Sequence, residues 1–138
     1  MFSETNWLAV FVTALSSMVI GFIWYNPKVF GTAWMKATGL TPDAAKKSNM
    51  AVIFGLSYLC SVVVCAFLST WVHPDENYSP FVHGAYHGMM LSAFVAVPFV
   101  IQNALYETRG WKYTLINVSY TVVTMGVEGG ILFLWPSA

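Results

Sequence analysis

Residues Met50 to Val72 read MAVIFGLSYLCSVVVCAFLSTWV, a run without one charged side chain. Crossing the hydrocarbon of a bilayer as a helix takes about 20 mainly apolar residues, because each adds about 1.5 Å and every peptide group must be bonded within its own segment. This stretch satisfies that requirement, and three others do the same. Trp7 to Tyr25 has no charge, Gly84 to Tyr106 has only His87 as an ionisable group of the polar kind, and Tyr113 to Trp135 has only Glu128. Trp7, Trp24, Tyr25, Trp71, Tyr106, Trp111, Tyr113 and Trp135 mark the ends, where amphipathic rings prefer the headgroup level. The sequence therefore predicts an all-α polytopic membrane protein. Its single domain, residues 1–138, has four transmembrane helices at about 7–25, 50–72, 84–106 and 113–135.

Composition agrees. Of the 138 residues 57% are apolar and only 9% charged, too few charges to cover a water-soluble surface. Six basic and six acidic residues cancel, so there is no field to draw in nucleic acid, and membrane lipids are the expected partners instead. Cys60 and Cys65 lie five apart in one apolar run, beyond disulfide reach along a helix, and read as small packing residues. Met1 to Asn6 carries Glu4 and no Lys or Arg, so it lacks the basic region of a secretory signal and the first apolar run is expected to be retained.

Lys28, Lys36, Lys46 and Lys47 fall between the first two spans, and Arg109 and Lys112 between the last two. Those loops, 26–49 and 107–112, share one face of the membrane and hold every basic residue. By the positive-inside rule that face is cytoplasmic and both termini lie outside. Within the longer loop Val29, Phe30, Ala33, Trp34 and Ala37 recur at helical spacing, and Gly39 can stop a helix. A short interfacial helix over about 28–38 follows. Thr41, Pro42 and Asp43 supply an N-cap, a first-turn proline and a first-turn acid, so the second span is expected to begin as a helix there and project into the cytoplasm.

Helices in lipid associate through close approach at small residues and through hydrogen bonds. Ala9, Thr13, Ser17 and Gly21 recur every four residues in the first span, and Ser57, Ser61, Cys65 and Ser69 in the second. Gly84, Gly88, Ser92 and Ala96 do so in the third, and Gly126 and Gly130, with Gly129 beside them, in the fourth. These faces serve either packing within one chain or a homo-oligomer, and the sequence leaves both open. Pro98 removes one backbone bond and frees a carbonyl near Phe94, which predicts a kink.

An ionisable group at bilayer depth is costly and usually faces the bundle interior. Glu128 lies seven residues before Trp135, about 10 Å below the outer interface, and His87 enters from the same face to about 5 Å. Their depths allow a hydrogen-bonded pair. The alternative is a protonated Glu128 with His87 reaching for the headgroups. His83 and His87, one turn apart, are weak candidates for a metal site, with His73, Asp75 and Glu76 in the adjoining loop. At the cytoplasmic end Tyr25, Asn26, Asn103, Glu107, Arg109 and Asn117 form a second polar group, in which Glu107 and Arg109 read as a loop-ordering ion pair. No nucleophile stands with a base and an acid in a recognisable context, and no Gly-rich phosphate loop joins strand to helix. No enzyme and no cofactor is expected.

Asn6 with Trp7, then Trp24, Tyr25, Pro27, Phe30, Gly31 and Trp34, then Tyr106, Glu107, Arg109, Trp111, Lys112, Ile116, Asn117 and Tyr120 form a specific combination. In this and in its four spans the chain resembles a widespread bacterial family of small membrane proteins catalogued as a domain of unknown function. The resemblance implies the fold and a location in the bacterial inner membrane, and no activity. Glu128 and the outer loop lie outside the motif. Three functional classes follow: a structural, accessory or lipid-interacting membrane protein, a permeation or transport protein using Glu128 and His87, and, least, an enzyme.

Overall fold

The computed structural model describes residues 2–73 and 75–135. Helix α1 spans Trp7–Trp24 and is capped by the Asn6 side chain, which accepts from the Ala9 N–H at 3.1 Å. A wide turn over Pro27–Gly31, with i to i+5 hydrogen bonding, leads into α2, Thr32–Thr38. Helix α3 covers Pro42–Lys47, α4 Met50–Trp71, α5 Pro80–Leu91, α6 Val97–Tyr106 and α7 Trp111–Leu132. A second wide turn, Ser92–Ala96, joins α5 to α6 without interrupting the helical path. Four stretches, α1, α4, the α5–α6 unit and α7, are thus long and apolar enough to cross a bilayer. Among the described residues there is no strand.

The helix expected to run unbroken from Thr41 into the second span is broken. Thr41 does cap α3, accepting from the Ala44 N–H at 3.2 Å, but Ser48 is extended at φ −72°, ψ 144°. Asn49 then caps α4 afresh through the Val52 N–H. The cause is local: Ser48 and Asn49 are residues whose side chains compete for backbone groups, and an N-cap needs non-helical backbone. The third long helix starts at Pro80, one turn ahead of Gly84, because proline suits a first turn whose N–H groups lack helical partners. The irregularity expected near Pro98 takes the form of the wide turn. Pro98 has no N–H to offer, and Val97 directs its own N–H back to the Ser92 carbonyl, five residues earlier.

Helix α7 is the centre of the arrangement, packing against α1, α2, α4, α5 and α6, while α4 lies along α1. Its crossing with α5 is glycine on glycine. A Cβ on Gly84 would overlap the Gly129 carbonyl, one on Gly129 the Gly84 carbonyl, and one on Gly88 the Met125 carbonyl. The small-residue ladders are therefore largely used inside one chain: Ala9, Thr13, Ser17, Ser61, Cys65, Gly84, Gly88, Ser92, Gly126, Gly129 and Gly130 are all buried. Ser57 is exposed. Outward, Leu8, Leu15, Val19, Leu56, Leu59, Val63, Phe94 and Phe99 form an apolar coat of the kind lipid chains cover.

Candidate functional site

All six basic residues lie in the segments at one end of the helices, the basic end, and the start of α1 and the end of α7 lie at the other, the terminal end. At the basic end Asn26 caps the Pro27 turn by accepting from the Lys28 N–H at 2.9 Å, and the Gly31 N–H returns to the Asn26 carbonyl. Gly31 is required there, since a Cβ would collide with the Tyr25 carbonyl. The turn folds Trp34 back edge-on to Tyr25, with ring centroids 5.4 Å apart, and Tyr25 meets Tyr120 at 5.2 Å. The Tyr25 hydroxyl donates to Asn117 Oδ1 at 2.8 Å, and Trp24 Nε1 donates to the Ile116 carbonyl at 3.1 Å, fastening α1 to α7. Arg109 pairs with Glu107 at 3.1 Å and donates to the Thr38 carbonyl at 3.3 Å, so it caps the end of α2 from the loop before α7. Asn103 is exposed on α6 and its side chain makes none of these bonds.

Of these residues Tyr25, Trp34 and Tyr120 wall a cleft of about 600 Å³ between α1 and α4, roofed by α2 and α3. Met18, Phe22, Met35, Ile53 and Phe54 give it an apolar lining, and Ser17, Ser57, Tyr25, Tyr120 and Trp34 line it too. The Trp34 indole N–H is buried without a hydrogen-bond partner. Lys46 and Lys47, both exposed, stand in sequence between the lining residues Ala45 and Ser48, and exposed Lys36 follows the lining residue Met35.

Glu128 lies in the middle of the bundle, 1% exposed. Its carboxyl meets Ser61 Oγ on α4, and Ser61 Oγ also contacts the Ala14 carbonyl on α1 at 3.1 Å. Ser61 has one hydroxyl hydrogen, and a carbonyl can only accept. That one hydrogen can go to the Glu128 carboxyl or to the Ala14 carbonyl, and the two contacts of Ser61 bring α7, α4 and α1 together at this point. Ser17 donates to the same carbonyl at 2.8 Å, and Cys65 lies beside both Ser61 and Glu128.

The pair expected between Glu128 and His87 is not formed. His87 instead stands edge-on to Trp71 at 5.7 Å and to His83 at 4.6 Å. His83 Nε2 is engaged by the His73 carbonyl at 3.0 Å, and among the described residues no group of three or more His, Cys, Asp or Glu is placed to hold a metal ion. The His87 ring turns to Trp71 and His83, and Ser61, ten residues before Trp71 and so about 15 Å down the second span, takes the place at Glu128. A second cleft of about 540 Å³ opens at the terminal end, lined by Glu4, Thr5, Ser69, His73, Asp75 and His83 among others. There Asp75 accepts from the backbone and side chain of Asn77, which hold its carboxyl below the ordinary range.

Four long apolar helices, an outward apolar coat and a polar interior define a small helical membrane protein. The sequence matches the family described as "Protein of unknown function (DUF1761)" over residues 8–133, and the chain belongs to that family. No curated protein and no solved structure matches it.

Proposed function

We propose that this is a lipid-interacting membrane protein that seats one chain of an anionic phospholipid in the cleft between α1 and α4. The observation that carries this reading is the cleft's chemistry: an apolar trough bounded by two membrane helices, with exposed lysines next in sequence to the residues that line it at the basic end. Apolar walls suit an acyl chain, and a basic juxtamembrane rim attracts an anionic headgroup by about 1 kcal/mol per Lys or Arg. The residues by which the sequence resembles its family support it, since Tyr25, Trp34 and Tyr120 line this cleft and Gly31 shapes the turn that roofs it. The same basic bias supports placing this end on the cytoplasmic side of a bacterial inner membrane, with the termini outside.

Native mass spectrometry of the protein released from nanodiscs of mixed phosphatidylglycerol and phosphatidylcholine tests the proposal. One phosphatidylglycerol is expected to stay bound to the wild type and to be lost from Ser57→Trp, which fills the trough, and from Lys46→Gln with Lys47→Gln, which discharges the rim. Equal retention of the two lipids, or retention unchanged in both variants, counts against it.

A further inference from the structure

The two clefts lie end to end on the same helices, with Glu128 between them. Ala9, Ser69 and Leu132 line the terminal-end cleft, and Ser17, Ser57 and Tyr120 the basic-end cleft. Glu128 is four residues from Leu132, about 6 Å, and eight from Tyr120, about 12 Å. It therefore sits one turn beneath the floor of the terminal-end cleft. Cys65 is likewise one turn below Ser69, and Thr13 one turn below Ala9. The separating layer is polar: Thr13, Ser61, Thr124 and Glu128 are all buried, and among the described residues the Thr13 hydroxyl has no hydrogen-bond partner.

Among the described residues no charged side chain is hydrogen-bonded to or paired with Glu128. From α4 the nearest titratable group is Cys65, and on α7 itself it is Tyr120. Helix α1 presents only apolar and hydroxyl groups along its buried face. On α5 His83 lines the terminal-end cleft, and His87, one turn further along, reaches the level of Gly126 with its ring against Trp71 and His83, while Tyr106 on α6 and Lys36 on α2 lie at the basic end. Among the described residues no cation forms a salt bridge with Glu128.

We propose that Glu128 is a proton-binding site served from the terminal-end cleft, and that the bound proton closes the core against that cleft. With the hydrogen present, α7, α4 and α1 are linked through Ser61 and Ala14. When it leaves as a hydrated proton into the cleft, the Ser61 hydrogen must choose between the carboxylate and the Ala14 carbonyl. The join to α1 is lost, and a buried carboxylate without a counter-ion draws water in from the turn above. On the other side both Ser61 and Ser17 donate to the one Ala14 carbonyl, so the hydrogen-bond file ends there and proton access is one-sided.

Cys65 reports the opening, because it is fully buried in the closed state and lies beside Glu128. In a Cys60→Ser background, the rate of Cys65 labelling by a charged methanethiosulfonate is measured from about pH 6 to about pH 9 in wild type and Glu128→Gln. The charge of Glu128 beside the thiol disfavours the thiolate in wild type alone, so this direct effect slows wild-type labelling at the alkaline end and cannot produce the rise expected from opening, and the amide keeps an N–H for Ser61. The ratio of wild-type to Glu128→Gln rates is expected to be near one at the acid end and to grow about tenfold or more at the alkaline end. Ser61→Ala is expected to expose Cys65 already at the acid end. Parallel profiles for wild type and Glu128→Gln overturn the proposal. Should Glu128→Gln not fold, infrared difference spectra of wild type with ¹³C-labelled glutamate decide. A protonated carboxyl band that disappears with rising pH and exchanges in D₂O is expected, and a band unchanged across the range overturns it.

Discussion

Gly84 of α5 and Gly129 of α7 face each other so closely that neither can carry a side chain, for a Cβ on each would occupy the carbonyl of the other. The crossing lets α7 sit at the centre of the molecule, since without side chains the two backbones make the van der Waals contact that drives association in lipid. Gly129→Ala or Gly84→Ala is expected to destabilise the protein by about 1–3 kcal/mol, the usual cost of overpacking, and more if the helices separate. Gly55→Ala, where an added Cβ meets nothing within 4 Å, is the matched control and is expected to be neutral. Thermal unfolding in detergent, read by intrinsic fluorescence, checks both.

The proposed protonated state of Glu128 makes a prediction about two variants that a charged carboxylate would reverse. Ser61→Ala strands the Glu128 carboxyl without a partner and is expected to cost about 1–3 kcal/mol. Glu128→Gln keeps a donor for Ser61 and an acceptor besides, and is expected to change stability by less than about 1 kcal/mol at neutral pH. The comparison is made by unfolding the two proteins side by side in the same detergent.

At the basic end, Gly31→Ala collides with the Tyr25 carbonyl and prevents the turn that places Trp34 on Tyr25. Tyr25→Phe keeps the ring contacts and removes only the hydrogen bond to Asn117, at a cost of about 0.5–1.5 kcal/mol. Gly31→Ala is therefore expected to lower affinity for an anionic lipid strongly and Tyr25→Phe weakly, as read by retention in native mass spectrometry.

Much of the fold is legible in the sequence, for reasons visible in particular residues. The run from Met50 to Trp71 has the length and composition that a membrane imposes, and helix α4 coincides with it. Asn6 and Thr41 are caps in the structure because their side chains reach nearby N–H groups, a purely local matter. What did not follow was anything that depends on rotation of one helix against another. Ser61 carried the same signal as Ser57 and Ser69, a small residue at every fourth position, and only the turn of α4 toward α7 makes it the partner of Glu128. The cleft was invisible for the same reason, since Met18, Phe54 and Trp34 come from three separate segments. The break at Ser48 was missed because a capping signal at Thr41 is equally consistent with a helix of six residues and one of thirty.

Orientation is testable apart from function. Single cysteines at Lys47 and Asn77, in a background without Cys60 and Cys65, lie at opposite ends of α4. In intact cells an impermeant maleimide is expected to label the cysteine at 77 and spare that at 47, with labelling at 47 appearing only after permeabilisation. The opposite pattern places the basic end outside.

The lipid-binding account is tested most directly by photo-crosslinking. A diazirine amino acid at position 57 faces the cleft, and one at position 63, whose native valine is 68% exposed, faces the outer coat on the same helix. Both proteins are irradiated in nanodiscs of equal phosphatidylglycerol and phosphatidylcholine, and the attached lipids are weighed by mass spectrometry. Adducts at position 57 are expected to be enriched in phosphatidylglycerol about fivefold or more over those at 63, which mirror the bulk. The same lipid ratio at both positions contradicts the account.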